Sequence, residues 1–250
     1  MRGVHKDRFS ALADQYAHYR PHYPPELYQT LLKHTPGRSR VWDCATGSGQ
    51  AAEALSAFFD RVEATDISRH QLEKAPPHPK VHYQVCPAEK TTFSDAYFDL
   101  ITVATALHWF DIPTFFKEVA RVGQRSATLA FWCYGLFSCE VPAINSLIEE
   151  LYQNTLGPWW DPERQWVDEG YASIAVPFQR ITQTTILHEL SWKQDHVLGY
   201  LSTWSARKRF LDAGNLDPLP ELKQRFQTYW NEDQPLVFHF PIYLHLYRLP

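Results

Sequence analysis

The stretch that decides the fold is Val41-Trp42-Asp43-Cys44-Ala45-Thr46-Gly47-Ser48-Gly49-Gln50. An apolar pair leads into an acid, then into a turn with two glycines, then into a helical pattern. A second β-like run, Ala64-Thr65-Asp66-Ile67, ends in another acid. Glycines let a loop backbone approach a ligand where a Cβ would collide, and an acid at the next strand tip accepts hydrogen bonds from a ribose diol. The stretch therefore predicts a unit that binds a nucleoside-containing cofactor.

Strand and helix patterns alternate on both sides of this stretch. Strands are predicted over residues 40–44, 61–65, 81–85, 98–104 and 127–132, and later over 180–190 and 236–249. Helices are predicted over 26–34, 49–58, 68–75 and 111–122, and later over 142–154, 195–210 and 220–230. This alternation predicts an α/β fold of the doubly wound type, with a mostly parallel sheet of seven strands and helices on both faces.

Composition narrows the functional classes. The 250 residues are 44% hydrophobic, which suits one elaborated domain with a well-buried core. The net charge is −4 and Lys and Arg form no long run, so we expect no duplex nucleic acid as a partner. No window approaches 18 apolar residues, and the first residues lack a signal-peptide core. We therefore expect no membrane partner, a cytoplasmic location, and a monomer or homodimer.

The four cysteines are scattered, and none forms a pair or a Cys/His cluster with metal-ligand spacing. They are Cys44, Cys86, Cys133 and Cys139. We interpret them as reduced, buried thiols and expect no metal site.

Four segments should meet at the edge of the sheet where the parallel strands end, which is where such sheets bind ligands. They are 43–49, 66–67, 87–89 and 105–111. Their motifs are Asp43-x-Ala45-x-Gly47-x-Gly49, Asp66-Ile67-Ser68, Ala88-Glu89 before Phe93, and Leu107-His108-Trp109-Phe110-Asp111. Together these resemble the class I S-adenosylmethionine-dependent methyltransferases, in the methyltransferase type 11 branch that includes trans-aconitate methyltransferase-like proteins. The segment from Phe9 to Pro24, Trp160-Asp161-Pro162, and the 201–205 segment are also similar to that branch.

This resemblance implies a single Rossmann-like domain that uses S-adenosylmethionine and releases S-adenosylhomocysteine. Lid helices would occupy residues 1–38, the cofactor-binding core 39–133, and a substrate cap with the last two strands 134–250, the last strand being antiparallel. Candidate cofactor-binding residues are Tyr16, Arg20, Asp43, Ala45, Thr46, Gly47, Gly49, Asp66, Ile67, Ala88, Glu89 and Thr105. Candidate substrate-binding residues are Trp109, Trp132, Tyr171 and Trp204.

The chemistry expected is methyl transfer to a small-molecule acceptor, and the resemblance suggests a carboxylic acid. In-line displacement needs alignment and exclusion of water. A base is needed only when the nucleophile carries a proton, and His108 is then the candidate proton acceptor. Aromatic residues between 159 and 204 would line the acceptor side. The basic run at 207–209 is a weaker candidate for an anionic acceptor group, since such a run is more often a solvated helix face.

Two alternatives stay open. Gly47-x-Gly49-x-x-Ala52 also satisfies the looser dinucleotide fingerprint, which is typical of nicotinamide-linked oxidoreductases. Ala45 stands where the family usually has the first glycine of its loop, and alanine disfavours positive φ. This departure puts cofactor affinity in question and leaves room for a catalytically retired binding protein that keeps the fold.

Overall fold

The computed structural model of the protein describes residues 19–250. The chain folds into two compact units. The larger unit comprises residues 22–135, 165–186 and 241–250, and the smaller unit comprises residues 136–164 and 187–240 together with 19–21.

The sheet of the larger unit follows the predicted alternation. Its parallel strands are β1 (Arg40–Cys44), β2 (Arg61–Asp66), β3 (Val81–Val85), β4 (Phe98–Ala104) and β5 (Gly123–Tyr134). They lie in the order β3-β2-β1-β4-β5. The last strand, which we call β8 (Leu236–Arg248), runs antiparallel to β5, with Thr128 opposite Arg248 and Tyr134 opposite Ile242. The predicted α/β class and the antiparallel last strand are confirmed.

Two further strands, β6 (Ser138–Cys139) and β7 (Gln179–Trp192), pair with β8. The sheet therefore has eight strands, and the predicted count of seven is wrong by one. The missed strand is β6, which at two residues is too short to leave a periodic signal in the sequence.

Helices cover both faces of the larger unit's sheet. In chain order they are α1 (Pro25–His34), α2 (Gln50–Leu55), α3 (Arg69–Glu73) and α4 (Ile112–Val122). Neighbouring residues of a strand point to opposite faces. Val41 accordingly packs in a core cluster with α1 and α2, while Trp42 packs in a separate cluster with Phe115 and Val119 of α4. Asp111 caps α4 by accepting a hydrogen bond from the amide of Thr114 (3.4 Å).

The later helices lie between residues 142 and 227, mostly within the smaller unit. They are α5 (Pro142–Glu149), a π-helical turn (Glu150–Thr155), a short 3-10 turn (Gly157–Trp159), α6 (Arg164–Asp168), α7 (Gln194–Ser202), α8 (Ser205–Asp212) and α9 (Leu219–Gln227). The single helix predicted over 195–210 is wrong, because the chain breaks at Thr203 and Trp204. The Thr203 hydroxyl donates to the carbonyl of Tyr200 (2.6 Å), and Trp204 is extended, with ψ 130°. Within residues 19–250, no helix combines the length and apolar character needed to cross a membrane.

Candidate active site

The loop after β1 has the backbone shape that its glycines predict. Ala45, Gly47 and Gly49 all have positive φ, at 54°, 59° and 85°. A Cβ on Gly49 would come within 2.5 Å of the Tyr83 hydroxyl, and both this contact and the φ of 85° favour glycine there. Beside Gly47, in contrast, the described chain places no heavy atom within 4 Å of where a Cβ would project. The loop therefore turns tightly, and the described residues leave space beside Gly47.

Asp43 anchors this loop from inside the sheet. Its side chain is fully buried and accepts hydrogen bonds from the Thr46 hydroxyl (2.5 Å) and the Thr102 hydroxyl (2.8 Å). Burial raises the pKa of Asp43 to about 6, although the two threonine hydroxyls oppose the shift. The buried carboxylate is therefore costly to ionise without a cation nearby. Sequence reasoning missed Thr102 because it lies inside an apolar strand.

Asp66 joins the tip of β2 to the glycine loop. One carboxylate oxygen accepts from the Gly47 amide (2.9 Å) and the other from the Ser68 amide (2.8 Å). The neighbouring Ile67 leaves 59% of its surface exposed. An acid and an uncovered apolar surface therefore lie next to each other at the strand tip.

A hydrogen bond joins the third predicted segment, residues 87–89, to the fourth, residues 105–111. Ala88 is buried in the core, whereas the Glu89 carboxylate accepts from the Asp111 amide (3.0 Å). Further along α4, Glu118 accepts from both the amide (2.8 Å) and the hydroxyl (2.6 Å) of Thr91. These contacts hold the loop after β3 against α4.

The fourth segment begins at Thr105, which has φ 54° and donates its amide to the Trp132 carbonyl (2.7 Å). A short 3-10 turn, Leu107–Trp109, follows and carries His108. His108 is buried, and its Nδ1 lies 2.8 Å from the Tyr171 hydroxyl. The Trp109 ring lies 4.6 Å from the His108 ring. Tyr171 comes from the 165–186 stretch, so the fold brings two predicted site residues together from distant positions.

Trp132 is fully buried near the carboxyl end of β5. Its indole N–H has no hydrogen-bond partner in the described part of the chain. The Tyr23 ring packs edge-on against it at 5.3 Å, and the Tyr23 hydroxyl lies 3.4 Å from the Thr105 hydroxyl. Sequence reasoning did not name Tyr23 as a site residue, because the prolines after it pointed only to a helix start.

Other predicted site residues belong to the smaller unit. Arg20 donates to the Thr203 hydroxyl (3.1 Å), and its guanidinium lies 5.1 Å from the centre of the Tyr200 ring. Trp204 is buried in that unit's aromatic core, with ring contacts to Tyr152 and Trp160 at 5.5 Å each. Tyr16, with which Arg20 was expected to form a lid, lies outside the described residues.

The basic run at 207–209 is ion-paired along its length. Arg207 pairs with Asp217, Lys208 with Asp212 and Arg209 with Asp161. These acids neutralise the run, so the structure does not support it as a site for an anionic acceptor group.

Known proteins agree with this architecture. A methyltransferase domain family matches residues 42–131. A Dictyostelium discoideum protein named as a methyltransferase is 34% identical over 245 residues, which is 95% of this chain and 93% of that protein. This chain belongs to the class I methyltransferases. A solved structure described as a type II methyltransferase from Anaeromyxobacter dehalogenans is 37% identical, with a TM-score of 0.86 over 93% of this methyltransferase and 99% of that chain.

A more distant relative is the Saccharomyces cerevisiae protein CRG1, named as an S-adenosylmethionine-dependent methyltransferase. It is 28% identical over 130 residues, which cover 47% of this chain and 45% of that protein. The methyltransferase assignment and the Rossmann-like fold predicted from the sequence are therefore confirmed.

The residues present fit the methyl donor of this family. The loop leaves room beside Gly47, Asp66 offers a carboxylate, and Ile67 offers an uncovered apolar surface. Within residues 19–250, no group of three or more His, Cys, Asp or Glu side chains is arranged to hold a metal ion. The four cysteines are buried, and none is bonded to another, as the sequence predicts.

Proposed function

We propose that this methyltransferase transfers the methyl group of S-adenosylmethionine to a small molecule, with a carboxylic acid as the first candidate acceptor. The observation that carries the proposal is the position of Asp66, which is hydrogen-bonded to the glycine loop and flanked by the exposed Ile67. A nucleoside needs this combination of a carboxylate for its ribose diol and an apolar surface for its base.

The nucleoside end of the donor is assigned to three loops. Asp66 would take the ribose hydroxyls, since each carboxylate oxygen accepts more than one hydrogen bond. Ile67 would pack on the adenine face. Glu89 or the backbone of Ala88 would contact the adenine edge, and the Glu89 bond to Asp111 orients that carboxylate.

The methionine end is assigned to the loop after β1. Gly47 and Gly49, with Ala45 and Thr46 between β1 and α2, would let the backbone lie along the ligand, and Thr105 would border it from the next strand. Asp43 favours a positively charged ligand, because a nearby cation offsets the cost of its buried negative charge. When bound, the donor supplies an electrophilic methyl carbon, whose bond to sulfur breaks as the acceptor's lone pair forms the new bond.

The acceptor is assigned to the aromatic side of the same loops. Trp109 and Trp132 would contact it in the larger unit, and His108 and Tyr171 would meet it as a hydrogen-bonded pair. A role for Trp204 in acceptor binding remains part of the proposal, although that residue lies in the core of the smaller unit. The protein's part in the reaction is then to align the acceptor and exclude water.

Calorimetric titration with S-adenosylhomocysteine tests the proposal, with NADH as a parallel control. We expect micromolar binding of the former and no response to the latter. A response to NADH alone would favour the nicotinamide-linked oxidoreductase. Binding of neither would favour the retired binding protein. A positive result would justify screening small acids, phenols, amines and thiols as acceptors.

A further inference from the structure

The loop between β3 and β4, residues 86–97, forms neither helix nor strand, so regular secondary structure does not fix its course. Contacts with α4 hold it at two places. At the start of the helix, the Asp111 amide donates to the Glu89 carboxylate (3.0 Å). Near the end of the helix, the side chains of Glu118 and Arg121 contact the loop as well. The loop that carries the proposed adenine contact is therefore shaped largely by one helix.

Arg121 makes the larger share of these contacts. Its Nη1 donates to the Phe93 carbonyl and to the Asp95 carboxylate, at 2.7 Å each. Its Nη2 and Nε donate to the two carboxylate oxygens of Glu118, at 2.6 Å and 3.0 Å. Glu118 in turn accepts from the amide and the hydroxyl of Thr91. A guanidinium carries its donors in a rigid planar fork, so such a charge-assisted, two-oxygen pair fixes geometry as well as adding energy.

The Glu118 carboxyl is only 8% exposed, and burial alone would favour its neutral form. Hydrogen bonds from Arg121 and Thr91 outweigh that effect and hold the pKa of Glu118 below its ordinary value. Glu118 therefore stays ionised at neutral pH and keeps both sets of hydrogen bonds. The loop residues held in this way begin at Thr91, two positions after Glu89. A recognition group so close to a fixed segment is itself restricted in position.

We propose that Arg121 is a positioning residue that holds the loop between β3 and β4 in the shape that recognises the adenine edge of the methyl donor, and so sets the preference for adenine over other purines. The inference rests on the proposed function and deepens it, because it assigns the base specificity of that site to a side chain that acts through the loop. Adenine presents an amino donor and a ring-nitrogen acceptor along this edge, whereas hypoxanthine presents a carbonyl acceptor and a ring N–H donor. A loop held in one geometry satisfies only one of these patterns, and the mismatched base leaves polar groups unpaired.

Calorimetric titration with two ligands tests the inference without any acceptor. The ligands are S-adenosylhomocysteine and S-inosylhomocysteine, its hypoxanthine counterpart, and the readout is the ratio of their dissociation constants. The wild-type protein should bind the adenine ligand about 10-fold to 100-fold more tightly. Arg121→Gln, which keeps a hydrogen-bond donor but loses the charge and the fork, should reduce this preference to within about threefold. No preference in the wild type, or equal weakening of both ligands in Arg121→Gln, would overturn the proposal.

A matched control separates loop position from general stability. Arg61 also pairs with a buried carboxylate, since the Glu63 side chain is 8% exposed against 9% for Glu118. This pair lies at the start of β2, at the opposite end of the strand from Asp66. Arg61→Gln should lower the free energy of unfolding, measured by denaturant titration, and leave the ratio of dissociation constants unchanged. A fall in the ratio as large as that in Arg121→Gln would show that lost stability alone explains the effect, and would overturn the proposal.

A second variant approaches the same contacts from the loop. Thr91→Val keeps the shape of the side chain but removes the hydroxyl that donates to Glu118 (2.6 Å). It should lower the ratio in the same direction as Arg121→Gln, by a smaller factor. If Arg121→Gln does not fold, an unchanged ratio in Thr91→Val overturns the proposal. Binding of S-adenosylhomocysteine with an unchanged ratio in the variants would refute this inference alone, whereas no binding to the wild-type protein would refute the proposed function and this inference with it.

Discussion

The larger and smaller units differ in backbone strain and in how their polar and aromatic side chains are paired. All five described non-glycine residues with positive φ lie in the larger unit, and three of them, Ala45, Thr105 and Tyr171, are predicted site residues. The same unit holds the buried Asp43 carboxyl with its raised pKa and the Trp132 indole N–H, which has no hydrogen-bond partner within residues 19–250. Backbone strain is therefore what separates the two units, because buried polar atoms without a hydrogen-bond partner among the described residues occur in both, at Tyr83 and Trp132 in the larger unit and at Gln194 and His239 in the smaller one.

In the smaller unit, aromatic and basic side chains mostly satisfy one another. The Trp160 indole donates to the Tyr152 carbonyl (3.1 Å), and the Trp230 indole donates to the Gln234 carbonyl (2.6 Å). Arg164 donates to the Tyr152 hydroxyl (2.9 Å) and lies 4.8 Å from the centre of the Trp160 ring. An abundance of Trp and Arg alone therefore does not indicate a binding surface. A site is better recognised by the conformational cost of its backbone.

The largest expected effect is on stability, from Trp204→Ala. Trp204 is 5% exposed within an aromatic core, and truncating a buried tryptophan typically costs about 3–5 kcal/mol. The free energy of unfolding, measured by denaturant titration, should fall by that amount. Trp109→Ala is the comparison, because Trp109 is only partly buried and should cost less. A larger loss for Trp109→Ala would break the contrast between the two units.

The next effect is the pH dependence of stability that Asp43 imposes. Because its pKa is raised from 3.8 to about 6 in the folded protein, its stabilising contribution is present below pH 4 and is lost as the pH rises to about 6. The difference in unfolding free energy between wild type and Asp43→Asn should therefore fall by roughly 3 kcal/mol across that window. Thermal melts of both proteins at several pH values measure this difference, and a difference that does not vary with pH would refute the raised pKa.

Asp66→Ala should weaken S-adenosylhomocysteine binding by about 1–3 kcal/mol, the usual cost of leaving hydrogen-bonding groups unpaired. Asp99→Ala is a matched control. Asp99 also accepts two backbone amides, from Ser39 and Arg40 at 2.9 Å each, but it lies near the start of β4, away from the strand tips. Both variants should lose stability, and only Asp66→Ala should lose affinity in calorimetry. Equal affinities would remove Asp66 from the cofactor site.

The smallest effect concerns strain in the loop. Ala45→Gly should raise the free energy of unfolding by about 1 kcal/mol, because glycine adopts positive φ without a steric penalty. Ala96→Gly is the control, since Ala96 has φ 50° but is not a predicted site residue. Similar stabilisation of both, with tighter S-adenosylhomocysteine binding only in Ala45→Gly, would show that the alanine limits cofactor affinity. Destabilisation by Ala45→Gly would contradict the assigned strain.

The regions that could be predicted from the sequence are those in which ligand binding or strand periodicity fixes the spacing between residues. The glycine loop, the acid at the tip of β2 and the parallel strands carry strong local signals, and the comparisons confirm the family that they indicate. The partner of His108 was not predictable, because 63 residues separate it from Tyr171 and no local pattern links the two. The break at Thr203 was missed because one side-chain hydrogen bond overrides a continuous helical pattern.

We propose that the methyl donor binds where the parallel strands end, beside the glycine loop and Asp66. A crystal structure of the complex with S-adenosylhomocysteine would show this position. We expect the ribose hydroxyls within hydrogen-bonding distance of the Asp66 carboxylate and the adenine ring against Ile67. Density for the ligand elsewhere, or ribose hydroxyls with no contact to Asp66, would contradict it.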